Sequence, residues 1–172
     1  DRIKDGYGIN ESIIEQAHAD GVEVILTCDN GISAFHQVEL AKKYGMTVVI
    51  TDHHEVPLDG EKEKIPPADA VIDPKQADCP YPFPEICGAV VAYKLVQVLY
   101  ARRGVPRMEW LDLLEFAAIA TVGDVMKLQD ENRILVKYGL KKMAQTKNLG
   151  LRRLAEKNNL DLGAITAYHI GF

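Results

Sequence analysis

The sequence has no long hydrophobic run and no excess of basic residues. Its longest apolar stretches, at residues 88–93 and 116–123, are far shorter than the roughly 20 residues of a membrane-spanning helix. Lysine and arginine number 20 against 25 acidic residues, which gives a formal net charge of −5. Since binding to a phosphate backbone needs clustered basic side chains, this chain is not expected to hold nucleic acid by its own charge.

Secretory features are also lacking. The chain does not open with a basic segment followed by an apolar one, as a signal peptide does. The cysteines Cys28, Cys79 and Cys87 are odd in number and show no Cys-x-x-Cys spacing, which argues against a disulfide framework and against a zinc site. We expect buried thiols at these positions and a cytoplasmic protein without a membrane anchor.

The first half of the chain alternates between strand and helix patterns. Apolar runs rich in β-branched residues predict three strands, at residues 22–27, 46–51 and 70–72. A helical pattern at 33–43 separates the first two strands, and such a unit forms a parallel sheet with a right-handed crossover. Because the strands are almost wholly apolar, we expect both faces of the sheet to be covered. Another helix is predicted at 11–19, capped by Asn10.

The second half of the chain is predominantly helical in pattern. Helices are predicted at residues 88–103, 109–122, 131–145, 150–158 and 163–169. The first of these is apolar almost all round and should be buried. Segments 55–67 and 73–84, rich in charge or proline, should be irregular. The predicted fold class is α/β, with a parallel sheet flanked by helices in residues 1–75 and a mainly helical part in residues 86–172.

Polar side chains follow the first two predicted strands. Asp29 comes after the first strand, and Asp52, His53 and His54 come directly after the second. Ligands of open parallel sheets bind beyond the carboxyl ends of the strands, which lie about 5 Å apart, so these side chains can converge on one ion. Asp124 follows a helix, whose electronegative carboxyl end favours a nearby cation. Imidazole together with carboxylates suits Mn²⁺, Fe²⁺ or Zn²⁺ better than Ca²⁺.

Structural explanations compete with a metal site at these positions. Asp29, Asn30 and Gly31 also fit an ordinary turn, and Asp124 also fits an exposed carboxylate at a helix end. Two histidines directly after an apolar strand are harder to explain structurally. The sequence matches neither G-x-G-x-x-G nor G-x-x-x-x-G-K, so a phosphate-binding glycine loop is not indicated.

Several motifs taken together resemble the DHH phosphoesterase superfamily and, within it, the RecJ-type single-strand-specific 5′→3′ DNA exonucleases. In chain order they are LTCDNGI at residues 26–32, TDHHE at 51–55, DPKQ at 73–76, CPYPF at 79–83, ICGAVVAYKL at 86–95 and ATVGDVM at 120–126. The opening GYGIN at 6–10 and YHIG at 168–171 resemble family motifs too. Several motifs in the family's order are far more specific than Asp-His-His alone.

The resemblance implies a phosphodiesterase that depends on two Mn²⁺ or Mg²⁺ ions. Carried over by position, Asp29 would bridge the two metals, while His53 and Asp124 would complete one of them. Asp52 would orient a histidine from behind, as is common for metal-ligating imidazoles. His54 would bind either a metal or the scissile phosphate, and the resemblance leaves both roles open. The implied catalytic residues are therefore Asp29, His53, His54 and Asp124.

Substrate contacts are implied at three further positions. The N–H groups of Gly88 and Ala89, at a helix start, could hold a phosphate, and His169 could contact substrate from the last motif. The implied substrate is single-stranded DNA, in recombination and repair. By the same resemblance, the partners are a helicase and a single-strand-binding protein.

Two parts of the family pattern do not occur in this sequence. The family's first motif, an Asp-x-Asp pair, would precede Asp1, and its C-terminal substrate-binding domain would follow Phe172. We therefore expect a truncated DHH domain that binds at most one metal well and has little nuclease activity alone. An uncovered sheet edge would favour association between copies.

Two alternatives remain open. The same ligands serve family members that hydrolyse cyclic dinucleotides, short oligonucleotides or inorganic pyrophosphate, although the block at residues 73–95 favours the RecJ type. The other alternative is a non-catalytic binding protein on the same fold. The presence of all the polar residues after the strands argues against it.

Overall fold

Residues 8–171 are described by a computed structural model, and they form two compact units that divide between Pro84 and Glu85. Gly6 and Tyr7 of the opening motif lie outside the described residues, as does Phe172. Each unit has its own buried side chains.

The first unit contains a three-stranded parallel sheet, two helices and a small hairpin. Its elements are α1 (Glu11–Ala19), β1 (Val24–Leu26), α2 (Phe35–Lys43), β2 (Thr47–Thr51), β3 (Leu58–Asp59), β4 (Lys62–Glu63) and β5 (Ala70–Ile72). The sheet order is β1-β2-β5, with Leu26 opposite Val49 and Thr51 opposite Ile72. Because the strands are parallel, all three end at the same edge of the sheet.

A small apolar core holds the helices of this unit to its central strand. It consists of Ile14, Val38, Ala41, Met46, Val48 and Ile50, each at most 2% exposed. Helix α1 begins as predicted, since the side chain of Asn10 accepts the N–H of Ile13 at 2.9 Å. The core fixes β2 in place, and with it the residues that follow Thr51.

In its described residues, 85–171, the second unit consists of helices joined by loops. Its elements are α3 (Gly88–Arg102), α4 (Arg107–Leu111), α5 (Leu114–Gly123), α6 (Asp130–Met143), α7 (Leu149–Lys157) and α8 (Ala167–Gly171). Helix α5 packs against α3, α6 and α8, and its residues Ala117 and Ala118 are at most 2% exposed. None of the helices within residues 8–171 is both long and apolar enough to cross a membrane.

The predicted class, a parallel α/β sheet followed by a mainly helical half, is confirmed, but some predicted elements are wrong. Segment 55–67 is not wholly irregular, because β3 and β4 pair as an antiparallel hairpin around Gly60, whose φ is +64°. The helix predicted at 109–122 is broken into α4 and α5. The break lies at Asp112, whose carboxylate binds both Lys142 and Lys147 and so ties this corner to α6 and the segment after it.

Three burial predictions also need correction. The prediction that both faces of the sheet are covered is wrong for β1, because Val24 and Leu26 on one of its faces are each 58% exposed. Helix α3 is buried in its first half only, and Val98 and Leu99 in its second half are about half exposed. Of the cysteines, Cys87 is buried and Cys79 partly buried, but Cys28 is exposed. These surfaces are uncovered within the part of the chain that the structure describes.

Candidate metal centre

Asp29, His53 and His54 lie together where the strands of the first unit end. Each offers one ligand atom, and these atoms all lie within 4.8 Å of one another. The His53 Nε2 and Asp29 Oδ1 atoms are 3.0 Å apart, and the two imidazole rings are 4.6 Å apart between centroids. The structure thus brings three of the predicted ligands to one point, as expected for parallel strands that share an edge.

The backbone around Asp29 holds its carboxylate over this edge. The N–H of Asp29 donates to Thr51 O at 3.0 Å, which extends the pairing of β1 and β2 by one step. Asp29 has a φ of +64°, in the left-handed region that Asp tolerates better than most residues. Gly31 is required close by, because its φ is +118° and a Cβ there would lie 3.0 Å from Thr27 Oγ1.

Asp52 is buried and accepts several hydrogen bonds from its surroundings. Its Oδ2 accepts the N–H of Ile32 at 2.9 Å, while its Oδ1 accepts the N–H of His53 at 2.8 Å and lies 2.6 Å from His54 Nδ1. Burial by itself would raise the pKa of Asp52, but these bonds outweigh it and lower the pKa below its usual value. The ionised carboxylate therefore orients the His54 ring, with Nδ1 toward Asp52 and Nε2 on the opposite side of the ring.

Asp73 belongs to the same edge, although the DPKQ motif at 73–76 assigned it no role in the site. It directly follows β5 and is 1% exposed. Its Oδ1 accepts the N–H of Lys75 at 2.9 Å. Its Oδ2 is buried without a hydrogen-bond partner among the described residues.

Burial and the charge of Asp52 raise the pKa of Asp73, against the opposing effect of the Lys75 N–H. Its position after the third predicted strand indicated a place at this edge, but the prolines that follow favoured an irregular segment without a role in the site.

The remaining predicted site residues belong to the second unit. Asp124 is exposed at the carboxyl end of α5, and its N–H donates to Ala120 O at 2.8 Å. Gly88 and Ala89 open α3, where the first N–H groups of a helix have no partner within the helix. His169 is exposed, and its Nδ1 accepts the N–H of Thr166 at 3.1 Å, so it stabilises the start of α8.

The donor set of the first unit suits a divalent metal. Donors that occupy adjacent positions around an octahedral ion are separated by about 3 Å, which is the spacing of His53 Nε2 and Asp29 Oδ1. Mixed imidazole and carboxylate donors suit transition metals such as Mn²⁺. The His54 side chain is 60% exposed, so its ring can adjust toward an ion. The residues present fit the metal that the sequence resemblance implies.

Comparison with known proteins identifies the family. The family model described as "DHH family, N-terminal domain" matches residues 3–121. The chain belongs to the DHH family. The predicted resemblance is thereby confirmed, and the clustered Asp29, His53 and His54 are side chains of a DHH-family domain.

This DHH-family chain resembles single-strand-specific exonucleases over its whole length. It is 38% identical over 172 residues to the single-stranded-DNA-specific exonuclease RecJ of Bacillus subtilis (strain 168), covering 100% of the chain and 20% of that relative. It is 38% identical over 181 residues to RecJ of Dickeya dadantii (strain 3937), covering 99% of the chain and 31% of that relative. The chain thus spans a minor part of both relatives.

A solved structure shows the same fold. A crystal structure of exonuclease RecJ bound to manganese superposes with a TM-score of 0.81 at 30% identity, covering 99% of this chain and 41% of that one. This agreement extends the family assignment from sequence motifs to the arrangement of helices and strands.

Proposed function

We propose that the protein carrying this chain is a metal-dependent phosphodiesterase, a 5′→3′ exonuclease on single-stranded DNA. The observation that carries the proposal is the convergence of Asp29, His53 and His54 at one sheet edge of a DHH-family domain. The exonuclease names of the relatives favour this activity over cyclic dinucleotide, short oligonucleotide or pyrophosphate hydrolysis, and over a non-catalytic role.

In this proposal Asp29, His53 and Asp124 bind the metal, and His54 binds a metal or the scissile phosphate. When bound, Mn²⁺ or Mg²⁺ supplies Lewis acidity, which activates water and stabilises charge on the phosphate. Asp52 holds the His54 ring with Nε2 turned outward. The manganese in the similar RecJ structure supports Mn²⁺ as the first ion to test.

Substrate binding in the proposal involves the second unit. Gly88 and Ala89 hold a phosphate at the start of α3, because helix N-termini present N–H groups and a positive dipole end. His169 is a further substrate contact. The chain's net charge of −5 is compatible with a DNA substrate, because bound metals reverse the local field at the phosphate.

The proposed setting is DNA recombination and repair in the cytoplasm, beside a helicase and a single-strand-binding protein. We also propose that the chain associates with a second copy through the edge of the sheet at β1. Val24 and Leu26 on this strand are each 58% exposed, which leaves apolar surface that a second copy could cover.

The test is a degradation assay with the protein that carries this chain, in Mn²⁺, on single strands labelled at the 5′ or the 3′ end. We expect mononucleotides to appear first from the 5′ label, duplex DNA to resist, and Asp29→Ala to reduce the rate at least 100-fold, by analogy with the loss of a metal ligand or its support. Asp59→Asn, on an exposed carboxylate of the β3–β4 hairpin, is the matched control and should keep the rate.

Two results would contradict this function. Hydrolysis of cyclic dinucleotides or pyrophosphate in place of long single strands would assign another activity of the family. Unchanged degradation in Asp29→Ala would show that the cluster does not carry the activity. Calorimetric titration with Mn²⁺, comparing wild type with an Asp29→Ala, His53→Ala double variant, separates loss of metal from loss of DNA binding.

A further inference from the structure

The two histidines of the cluster differ in how their rings are supported. His54 has its Nδ1 2.6 Å from Asp52 Oδ1. His53 directs its Nε2 at Asp29, and its Nδ1 is buried on the other side of the ring. A histidine that binds metal through Nε2 must carry its proton on Nδ1, and an acceptor there fixes the ring and its tautomer.

Asp52 is already committed to other groups. Its two oxygens accept the N–H groups of Ile32 and His53 and contact the His54 ring. Another residue of this edge is therefore better placed than Asp52 to support the His53 ring.

Asp73 is the neighbouring carboxylate that has an oxygen to spare. β5 is paired with β2 so that Ile72 lies opposite Thr51, and the N–H of Asp52 donates to Ile72 O at 3.0 Å. In the continued register, Asp73 therefore lies opposite Asp52, the residue that precedes His53. The charge of Asp52 raises the pKa of Asp73, and that of His53 lowers it. Its buried Oδ2 has no hydrogen-bond partner among the described residues.

The turn after β5 does not explain why residue 73 is an Asp, with a second carboxylate oxygen, and not an Asn. Asp73 Oδ1 accepts the N–H of Lys75, an arrangement that Asn serves equally well. Burying a carboxylate beside the charge of Asp52 costs free energy that an amide would avoid. An Asp at this position is explained if its Oδ2 accepts a hydrogen bond, and the Nδ1–H group of the nearby His53 ring can donate one.

We propose that Asp73 is a positioning residue for His53, whose Nδ1–H it accepts directly or through one ordered water, so that Nε2 is presented to the metal. Each histidine of the pair then has its own carboxylate, Asp52 for His54 and Asp73 for His53. The inference deepens the proposed function and rests on it for the role of the metal.

The test replaces one oxygen of Asp73 and leaves the turn intact. In Asp73→Asn, Oδ1 still accepts the Lys75 N–H, but the other atom becomes a donor that opposes His53 Nδ1–H. We expect Mn²⁺ affinity in calorimetry to fall about tenfold or more, the usual effect of losing such a support. The melting temperature is measured alongside, so that a loss of affinity can be distinguished from a loss of fold. Asp59→Asn, on the exposed β3–β4 hairpin, should leave the affinity unchanged.

A second readout needs no metal. With ¹⁵N-labelled histidine in an Asp29→Ala background, which removes the carboxylate 3.0 Å from Nε2, the ring nitrogens of His53 should report the Nδ1–H tautomer, and adding Asp73→Asn should shift the population toward Nε2–H. If the Asp73→Asn variant does not fold, Asp73→Ser is used in its place, because a serine hydroxyl can also accept the Lys75 N–H in the turn.

The outcomes separate the two proposals. If wild type binds no Mn²⁺ through Asp29, the proposed function fails, while the tautomer measurement still decides the role of Asp73. A His53 that stays in the Nε2–H tautomer in the Asp29→Ala background would overturn the inference. So would an Asp73→Asn variant that keeps both the tautomer and the affinity, since Asp73 would then serve the turn alone.

Discussion

Asp112 shows how a single side chain sets the shape of the helical unit. Its carboxylate binds Lys142 and lies 3.1 Å from the Nζ of Lys147. The bonds to these two lysines hold the pKa of Asp112 below its usual value. A carboxyl group whose pKa is lowered by folding contributes stability above its unfolded pKa and loses it as the pH falls through the folded value.

We therefore expect Asp112→Asn to lower the free energy of unfolding at pH 7 and to have a diminishing effect below about pH 4. Urea unfolding at pH 7, 5, 4 and 3 measures the difference from wild type. The matched control is the same change in a Lys142→Gln, Lys147→Gln background, where the pH-dependent difference should disappear. A difference that is equal at every pH would show that Asp112 acts through the backbone corner alone.

At the same scale, the sequence revealed part of the candidate site and concealed the rest. Asp29, His53 and His54 were predictable as neighbours because they follow parallel strands, and parallel strands end at one edge. Asp73 also follows a strand, but the prolines beyond it favoured an irregular segment with no assigned role. The break at Asp112 was not predictable locally, because it depends on lysines about thirty residues away in the chain.

Among the elements, helices α5 and α6 make a close contact at Gly139. A Cβ built there would lie 2.6 Å from the carbonyl oxygen of Leu114, and it would also overlap the Cβ of Ala118. Both neighbours are fixed, one by backbone and one by a side chain that cannot rotate away. The glycine thus sets how near the two helices can approach.

Gly139→Ala should lower the free energy of unfolding by about 1–3 kcal/mol, the usual cost of overpacking, despite the better helix propensity of alanine. Gly123→Ala is the matched control, because a Cβ at Gly123 meets nothing within 4 Å. It should leave stability level or raise it by up to about 1 kcal/mol. Thermal and urea unfolding measure both variants, and equal effects would contradict the close contact.

The elements themselves were largely predictable where local signals agreed. The cap at Asn10 and the helix at 11–19 match α1, and the apolar run at 70–72 matches β5. The β3–β4 hairpin was missed because its strands are only two residues long and carry charge. Strand and helix patterns need several residues to show their period, so elements this short are visible only through their turn.

For the whole molecule, the exposed face of β1 and the net charge of −5 act in opposite directions. Burial of Val24 and Leu26 against a second copy would gain on the order of 1–2 kcal/mol for each side chain. Repulsion between two negatively charged chains opposes this gain and weakens as salt screens it. Association should therefore strengthen with salt as well as with concentration.

Light scattering behind size exclusion, from micromolar to millimolar chain at 0.05 and 0.5 M salt, tests this expectation. Leu26→Lys should keep the chain monomeric, because a lysine on an edge strand blocks pairing. Leu149→Lys is the matched control, since Leu149 is 70% exposed at the start of α7 and lies off the sheet. Monomer throughout in wild type, or association that survives Leu26→Lys, would rule out β1 as the contact.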